Sequence, residues 1–279
     1  MHTRKLTTFV AATAVTIAAV LGLAACSIDS ATASPSSSIT TASLPKAGAD
    51  SATIVLVHGA FADSSSWAGT LGLLRKAGYH AVAFADPLRG VANDAEALQS
   101  YIDTIQGPIV LVGHSYAGMV ISQVAAQDQD VTGLVYVAAF IPEVGESVNS
   151  LNSKFPGSKL VPDNLHFAPA PGGLTDVYIN QDAYADVYAG GLSADAASIA
   201  AATQRPIAAQ ALGEAATAAA PAATPKWEIV ATKDNAVPTA VQEYMAKRAG
   251  ATVTEVKSGH DVPAAQPSAV AKVIAAAAR

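Results

Sequence analysis

The sequence predicts an α/β fold, a mostly parallel, doubly wound sheet with a helical cap inserted partway along the chain. Three observations predict it. Short, nearly continuous apolar runs alternate with segments of helical spacing from about residue 52. That rhythm stops after Phe140 and returns at Trp227. One of the runs ends in a tight cluster of small residues around a serine, with a helical pattern starting at once.

The runs Thr53-Ile54-Val55-Leu56-Val57, Ala81-Val82-Ala83-Phe84, Ile109-Val110-Leu111-Val112 and Leu134-Val135-Tyr136-Val137 are rich in β-branched residues. Strands covered by helices on both faces look like this, because neither face can be polar. Trp67–Ala77, Asp94–Ile105 and Met119–Ala126 carry apolar residues at helical spacing between them. Alternation of the two kinds argues for a parallel sheet. Residues from about 141 to 225 break the pattern with prolines, glycines, tyrosines and alanine-rich stretches, and read as the cap. Within it, Asp182–Leu212 looks helical, with Pro206 as an interruption. The pattern then resumes with a strand at Trp227-Glu228-Ile229-Val230, a helix near Thr239–Ala249, a strand at Thr252–Val256 and a last helix near Ser268–Ala278.

Composition sets the broad class. The 279 residues are 51% hydrophobic and 14% charged, which excludes a disordered or coiled-coil protein. Residues 1–25 form a separate unit, with basic Arg4 and Lys5, an uncharged apolar run from Phe9 to Leu23, and small residues before Cys26. That is an export signal layout, too short for a permanent membrane span. Leu23-Ala24-Ala25-Cys26 resembles a bacterial lipoprotein signal, which implies lipid attachment at Cys26 and a place in the cell envelope. An ordinary signal peptide and a secreted protein are the alternative. Residues 26–50, rich in Ser, Thr, Ala and Pro, read as a flexible linker to a domain at 51–279. Cys26 is the single cysteine, so the domain has no internal disulfide and no cysteine nucleophile.

Loss of Arg4 and Lys5 with the signal moves the formal charge from −6 to −8. An acidic surface argues against nucleic acid as a partner. Membrane contact is expected through the lipid alone. No metal or cofactor is expected, since the chain has no His-Glu-x-x-His or paired-cysteine pattern.

The segment Gly113-His114-Ser115-Tyr116-Ala117-Gly118 is the serine turn. A serine between a buried strand and a helix must adopt a strained backbone, and its small neighbours let the two elements approach. Ser115 is therefore the expected nucleophile, raised above the carboxyl edge of the sheet where such folds bind ligands. The first strand ends in His58-Gly59-Ala60-Phe61, and a glycine there lets the backbone aim an N–H inward. The N–H groups of Ala60 and Tyr116 are the expected oxyanion hole.

A serine needs a base in hydrogen-bond reach. His260 follows the last strand, so it stands at the same edge, whereas His2 is in the signal, His80 precedes a strand and His166 is in the cap. His58 and His114 read as structural residues, and Trp67 as a packing residue. The orienting acid is expected in the turn after Trp227–Thr232, at Asp234, with Glu143 and the weaker Asp261 as rivals. Phe61 and Tyr184 are candidate walls of a mostly apolar pocket.

With these residues in hand, the chain resembles esterases of the α/β-hydrolase superfamily, in the branch holding small bacterial esterases, plant methyl esterases and hydroxynitrile lyases. The resemblance runs from about residue 52 to 279. It rests on Val57-His58-Gly59-Ala60-Phe61-Ala62-Asp63, Gly113-His114-Ser115-Tyr116, Val135-Tyr136-Val137-Ala138-Ala139-Phe140, Gln204-Arg205-Pro206, Asp234 and Ser258-Gly259-His260. It implies the α/β-hydrolase fold, the triad Ser115, Asp234 and His260, the oxyanion hole already named, and a small-molecule ester substrate. Two departures stand out. Ala117 replaces the usual second glycine, and Asp261 stands where the hydroxynitrile lyases carry a lysine, which disfavours cyanide chemistry. A perhydrolase, a lactonase or a non-catalytic binder on the same fold are the alternatives. A dehalogenase or epoxide hydrolase is disfavoured, because an aspartate would stand at Ser115. Composition and motifs leave the oligomeric state open.

Overall fold

The computed structural model describes residues 43–279. The expected signal peptide, Cys26 and most of the expected linker lie outside the described residues.

Strand β1 (Thr53–Val57) leads through a short 3-10 turn into helix α1 (Ala68–Lys76). Then follow β2 (Ala81–Phe84), α2 (Val91–Ile102), β3 (Ile109–His114), α3 (Ala117–Ala125) and β4 (Val131–Val137). The cap contains α4 (Val148–Asn152), β5 (Leu165–Ala170), β6 (Leu174–Ile179), α5 (Gln181–Val187), α6 (Ala194–Thr203), β7 (Ile207–Ala208) and α7 (Ala209–Gly213). The chain returns to β8 (Lys226–Ala231), α8 (Thr239–Ala249), β9 (Thr252–Val256), α9 (Val262–Ala265) and α10 (Pro267–Ala277).

Six of these strands form one sheet in the order β2-β1-β3-β4-β8-β9, every neighbouring pair parallel. Side chains alternate between its faces, as the two-residue period of a strand requires. Along β3, Ile109 and Leu111 join one buried cluster with Leu98 of α2 and Val120 of α3. Val110 and Val112 join the other, with Leu74 of α1 and Ile274 of α10. Both sets are fully buried, which explains why the strand sequence shows no polar alternation. Local signals set the helix ends. Pro267 opens α10, where a missing N–H costs nothing, and Gly250 closes α8 at φ +66°.

The strand order also decides where a site can form. The chain leaves β1 for β2 on one side and comes back to β3 on the other. The ends of β1 and β3 therefore diverge into a crevice at the carboxyl edge, the place where open α/β sheets bind ligands.

The cap differs from the expectation of a helical insertion. It also holds a three-stranded antiparallel sheet, β5-β6-β7. Gly172 and Gly173, at φ +75° and +77°, make the turn between β5 and β6. The helix expected over Asp182–Leu212 is three helices. Pro206 does end one, as α6 stops at Thr203, but Gly190 and Gly191 make an earlier break. That break has a packing reason. The Gly259 N–H donates to the Gly190 carbonyl at 2.9 Å, and a Cβ on Gly259 would come within 2.7 Å of the Gly190 Cα. Two glycines let the cap backbone touch the loop after β9.

Gly118 shows how tightly the serine turn is packed. A Cβ there would overlap the Phe140 carbonyl oxygen and lie 2.9 Å from its nitrogen. Both obstacles are backbone and cannot rotate away. Gly118→Ala is expected to cost about 3 kcal/mol or more, read as a lower midpoint of urea unfolding. An unchanged midpoint would mean the turn is looser than its geometry.

Candidate active site

Ser115 follows β3 directly and has φ +53°, in the left-handed region. A non-glycine residue held there costs on the order of 1–3 kcal/mol, so its surroundings must enforce it. They do so through the backbone. The Ser115 N–H donates to the Val137 carbonyl at 3.2 Å, and the Ser115 carbonyl accepts from Gly118 and Phe140 N–H groups, each at 3.1 Å. A Cβ on Gly113 would meet the backbone of Ala117 at 3.0 Å, and one on Gly59 would lie 2.8 Å from Ser115 Cβ. The methyl of Ala117 itself is fully buried in the turn. The crowded position is Gly118, one residue beyond the usual second glycine.

The structure brings Ser115, His260 and Asp234 together. Ser115 Oγ lies 2.8 Å from His260 Nε2, and His260 Nδ1 lies 2.7 Å from Asp234 Oδ2. Because a carboxylate oxygen only accepts, the proton belongs on Nδ1, leaving the Nε2 lone pair for the serine hydroxyl. Asp234 is itself fixed. Its Oδ1 accepts from the Ala236 and Val237 N–H groups, both at 2.8 Å, and its Oδ2 from Gln242 Nε2 at 2.9 Å. Gln242 in turn accepts from the Ala231 N–H at the end of β8, tying the carboxylate to the sheet. Gln242 was not among the candidate residues. On α8 it reads as one more helix polar residue, and its sequence carries no signal of this role.

The rival acids go elsewhere. Glu143 is exposed and pairs with Arg248 Nε at 3.3 Å. Asp261 lines a cleft. His58 donates from Nδ1 to the Gly59 carbonyl and accepts at Nε2 from the Asp86 N–H, each at 3.0 Å. These partners require a neutral ring, and burial lowers its pKa accordingly. His114 donates from Nε2 to the His260 carbonyl at 2.9 Å, and burial, then the nearby His260, push its pKa well below the ordinary value. Both act as neutral braces, as the sequence led us to expect. Trp67 is fully buried against His114, edge to face.

The N–H groups of Ala60 and Tyr116 donate to no backbone acceptor among the described residues. Everything around them is anchored. The Tyr116 hydroxyl donates to Asp94 at 2.8 Å, the Tyr188 hydroxyl to the Ala60 carbonyl at 3.0 Å, and the Tyr184 hydroxyl to the Phe61 carbonyl at 2.7 Å. The Phe61 N–H donates to the Arg205 carbonyl at 3.0 Å, and Phe61 holds φ +61°. The cap thus clamps the β1 loop in position. Tyr188 is a residue the sequence did not single out. Its ring also packs edge-on against His260, with centroids 4.9 Å apart.

A cleft of about 370 Å³ runs beside this cluster, with Phe61 and Tyr184 in its wall. Ser115 is only 6% exposed and does not contribute to that wall.

A parallel sheet with an inserted cap, and a serine on the strained turn after its third strand, define the α/β-hydrolase class. The chain belongs to the alpha/beta hydrolase family, whose pattern matches residues 54–273. Among curated proteins, it is 34% identical over 116 residues to a carbendazim hydrolyzing esterase from Nocardioides sp. (strain SG-4G), covering 37% of this chain and 48% of that protein. The matched segment therefore spans about half of that relative. Among solved structures, it is similar to an extracellular alpha/beta-hydrolase from a Paenibacillus species, with a TM-score of 0.69 and 23% identity over 82% of this chain and 99% of the other. Polyneuridine aldehyde esterase gives a TM-score of 0.70 and 21% identity, over 80% and 98%. At these identities the likeness is one of fold.

Proposed function

We propose that the protein is a serine hydrolase that cleaves a small or medium carboxylic ester through an acyl-enzyme. The observation that carries this reading is the unbroken hydrogen-bond chain from Ser115 through His260 to Asp234. Ser115 Oγ attacks the ester carbonyl while its proton passes to His260 Nε2. The Ala60 and Tyr116 N–H groups hold the oxygen that becomes negative, and being already fixed they need no reorganisation. The intermediate collapses, the C–O bond to the alcohol breaks, and the alkoxide takes the proton from His260. Water then repeats the sequence on the acyl-enzyme, giving its proton to His260, and Ser115 recovers that proton as the acid leaves. Asp234 keeps the imidazole in the working tautomer throughout. The esterase activity in the name of the Nocardioides relative supports the reaction class.

A fluorophosphonate probe tests the reading directly, together with hydrolysis of short and longer nitrophenyl esters. Labelling of Ser115 and ester turnover are expected. A folded protein that neither labels nor turns over any ester would be a binder instead.

The same reading extends to the N-terminus. We propose a signal peptide at 1–25, a lipid on Cys26, a tether at 26–50 and the hydrolase domain at 51–279, held at the cell envelope. Its basis is the Leu23-Ala24-Ala25-Cys26 pattern. Among the described residues no helix is long and apolar enough to cross a membrane. Cys26→Ala is expected to move the protein from the membrane fraction to the soluble fraction on cell lysis. Equal membrane recovery of both forms would remove the lipid from the account.

A further inference from the structure

Two buried acids that the ester mechanism does not use meet behind Tyr116, whose N–H is one of the two oxyanion donors. Asp86 stands just after β2 and Asp94 in the first turn of α2, and both are fully buried. Donors surround Asp94. Its carboxylate accepts from the Arg89 N–H at 3.0 and 3.1 Å, from Asn93 Nδ2 at 3.0 Å and from the Tyr116 hydroxyl at 2.8 Å. A group that only accepts from its neighbours is an anion here.

Asp86 is placed differently. Its Oδ1 accepts from the Leu88 N–H at 3.3 Å, but its Oδ2 has no donor among the described residues. Its carboxyl also hydrogen-bonds to that of Asp94. Two carboxylates cannot bond in this way, because each only accepts, so a proton must lie between them. The oxygen without a donor, Asp86 Oδ2, is the one free to carry it. Burial, then the charge of Asp94, raise the Asp86 pKa well above the ordinary carboxylate value, which agrees.

No neighbouring group removes the need for that proton. His58 turns Nε2 to the Asp86 N–H and is neutral, and burial, then Asp94, keep the Tyr116 hydroxyl protonated. Arg89 commits its guanidinium to Asp176 and the Pro206 carbonyl. Glu214 accepts from the N–H groups of Val91 and Ala92 at the start of α2. Arg205, exposed in the cap, is the smallest of the influences on Asp86.

We propose that Asp94 is a positioning residue for the oxyanion hole, holding the Tyr116 ring by its hydroxyl, and that Asp86 is its neutral partner and donates to it. The shared proton lets Asp94 keep its charge in a buried place where two adjacent anions would repel. This rests on the ester-hydrolase reading for the reaction, but the proton can be read without turnover.

Replacement by asparagine should separate the two acids, although they are equally buried. Asp86→Asn keeps an N–H donor facing Asp94, so kcat on a short nitrophenyl ester should stay within about threefold of the parent. Asp94→Asn removes the anion that holds Tyr116, and kcat should fall at least about tenfold with KM within about twofold. Tyr116→Phe deletes only the hydroxyl and should show the same kcat-weighted loss. Infrared difference spectra in neutral buffer read the proton itself. Parent minus Asp86→Asn should contain the carbonyl stretch of a protonated carboxyl group, and parent minus Asp94→Asn the bands of a carboxylate. Glu228, also buried with a raised pKa, is common to all three proteins and cancels. Equal kcat losses in the two asparagine variants, or a carboxylate at Asp86, overturn the proposal. Should Asp94→Asn fail to fold, Tyr116→Phe decides, and an unchanged kcat overturns the positioning role. A parent that hydrolyses no ester removes the hydrolase reading and that role together, while the infrared bands still decide the shared proton.

Discussion

Ser115→Ala is expected to remove ester hydrolysis, a fall in kcat of roughly 10⁴–10⁶-fold, and to abolish fluorophosphonate labelling. The side chain is small, and the turn is held by backbone hydrogen bonds that alanine keeps. Folding should therefore survive, so that lost activity reports chemistry and not collapse. Ser115→Gly separates the two more sharply. At φ +53° serine is strained and glycine is not, so the glycine variant should be as inactive as alanine yet on the order of 1 kcal/mol more stable than the parent in urea unfolding. Residual kcat within about tenfold of the parent in both variants would end the nucleophile assignment.

Asp234→Asn should come next in size, with kcat down roughly 10³–10⁴-fold. The reason lies in the donors around the carboxylate. Two backbone N–H groups claim the Oδ1 position, so the amide oxygen must stay there and the NH₂ must take the Oδ2 position. That NH₂ faces His260 Nδ1 and Gln242 Nε2. It can only donate to the imidazole, which drives the ring proton onto Nε2, where it blocks acceptance from the serine. It also sets two donors against each other at Gln242. The measurement is kcat on a neutral nitrophenyl ester beside a denaturation curve, and a loss of less than about tenfold would show that His260 needs no fixed tautomer.

Much of this was legible along the chain because it is local. The run Ile109–Val112 reads as a doubly covered strand since each of its residues is buried on one face or the other. The Gly113-His114-Ser115 turn reads as strained because part of its crowding is local, from Ala117 and Ile121 against Gly113, although Gly59 and Phe140 close in from other parts of the chain. The hairpin of the cap was legible too, in Gly172-Gly173 followed by the alternating Leu174-Thr175-Asp176-Val177-Tyr178-Ile179, but alanine-rich neighbours hid it. The residues that escaped work at long range. Tyr188 reaches back 128 positions to the Ala60 carbonyl, and its helix stops just before Gly190-Gly191, where Gly259 packs against the chain. Gln242 sits eight positions after Asp234, yet its aim depends on how α8 lies against the end of β8.

By itself the sequence determined the fold class, the edge of the sheet where chemistry gathers, and the order in which serine, acid and histidine follow their strands. Periodicity and turn residues are properties of short segments, and they survive without knowledge of neighbours. Only the tertiary structure decided which of Asp234, Glu143 and Asp261 stands behind His260, and which way the protons of His58, His114 and His260 face. Those outcomes depend on where loops from separate strands come to rest. A few ångströms of packing, invisible in any one segment, separate a hydrogen bond from none.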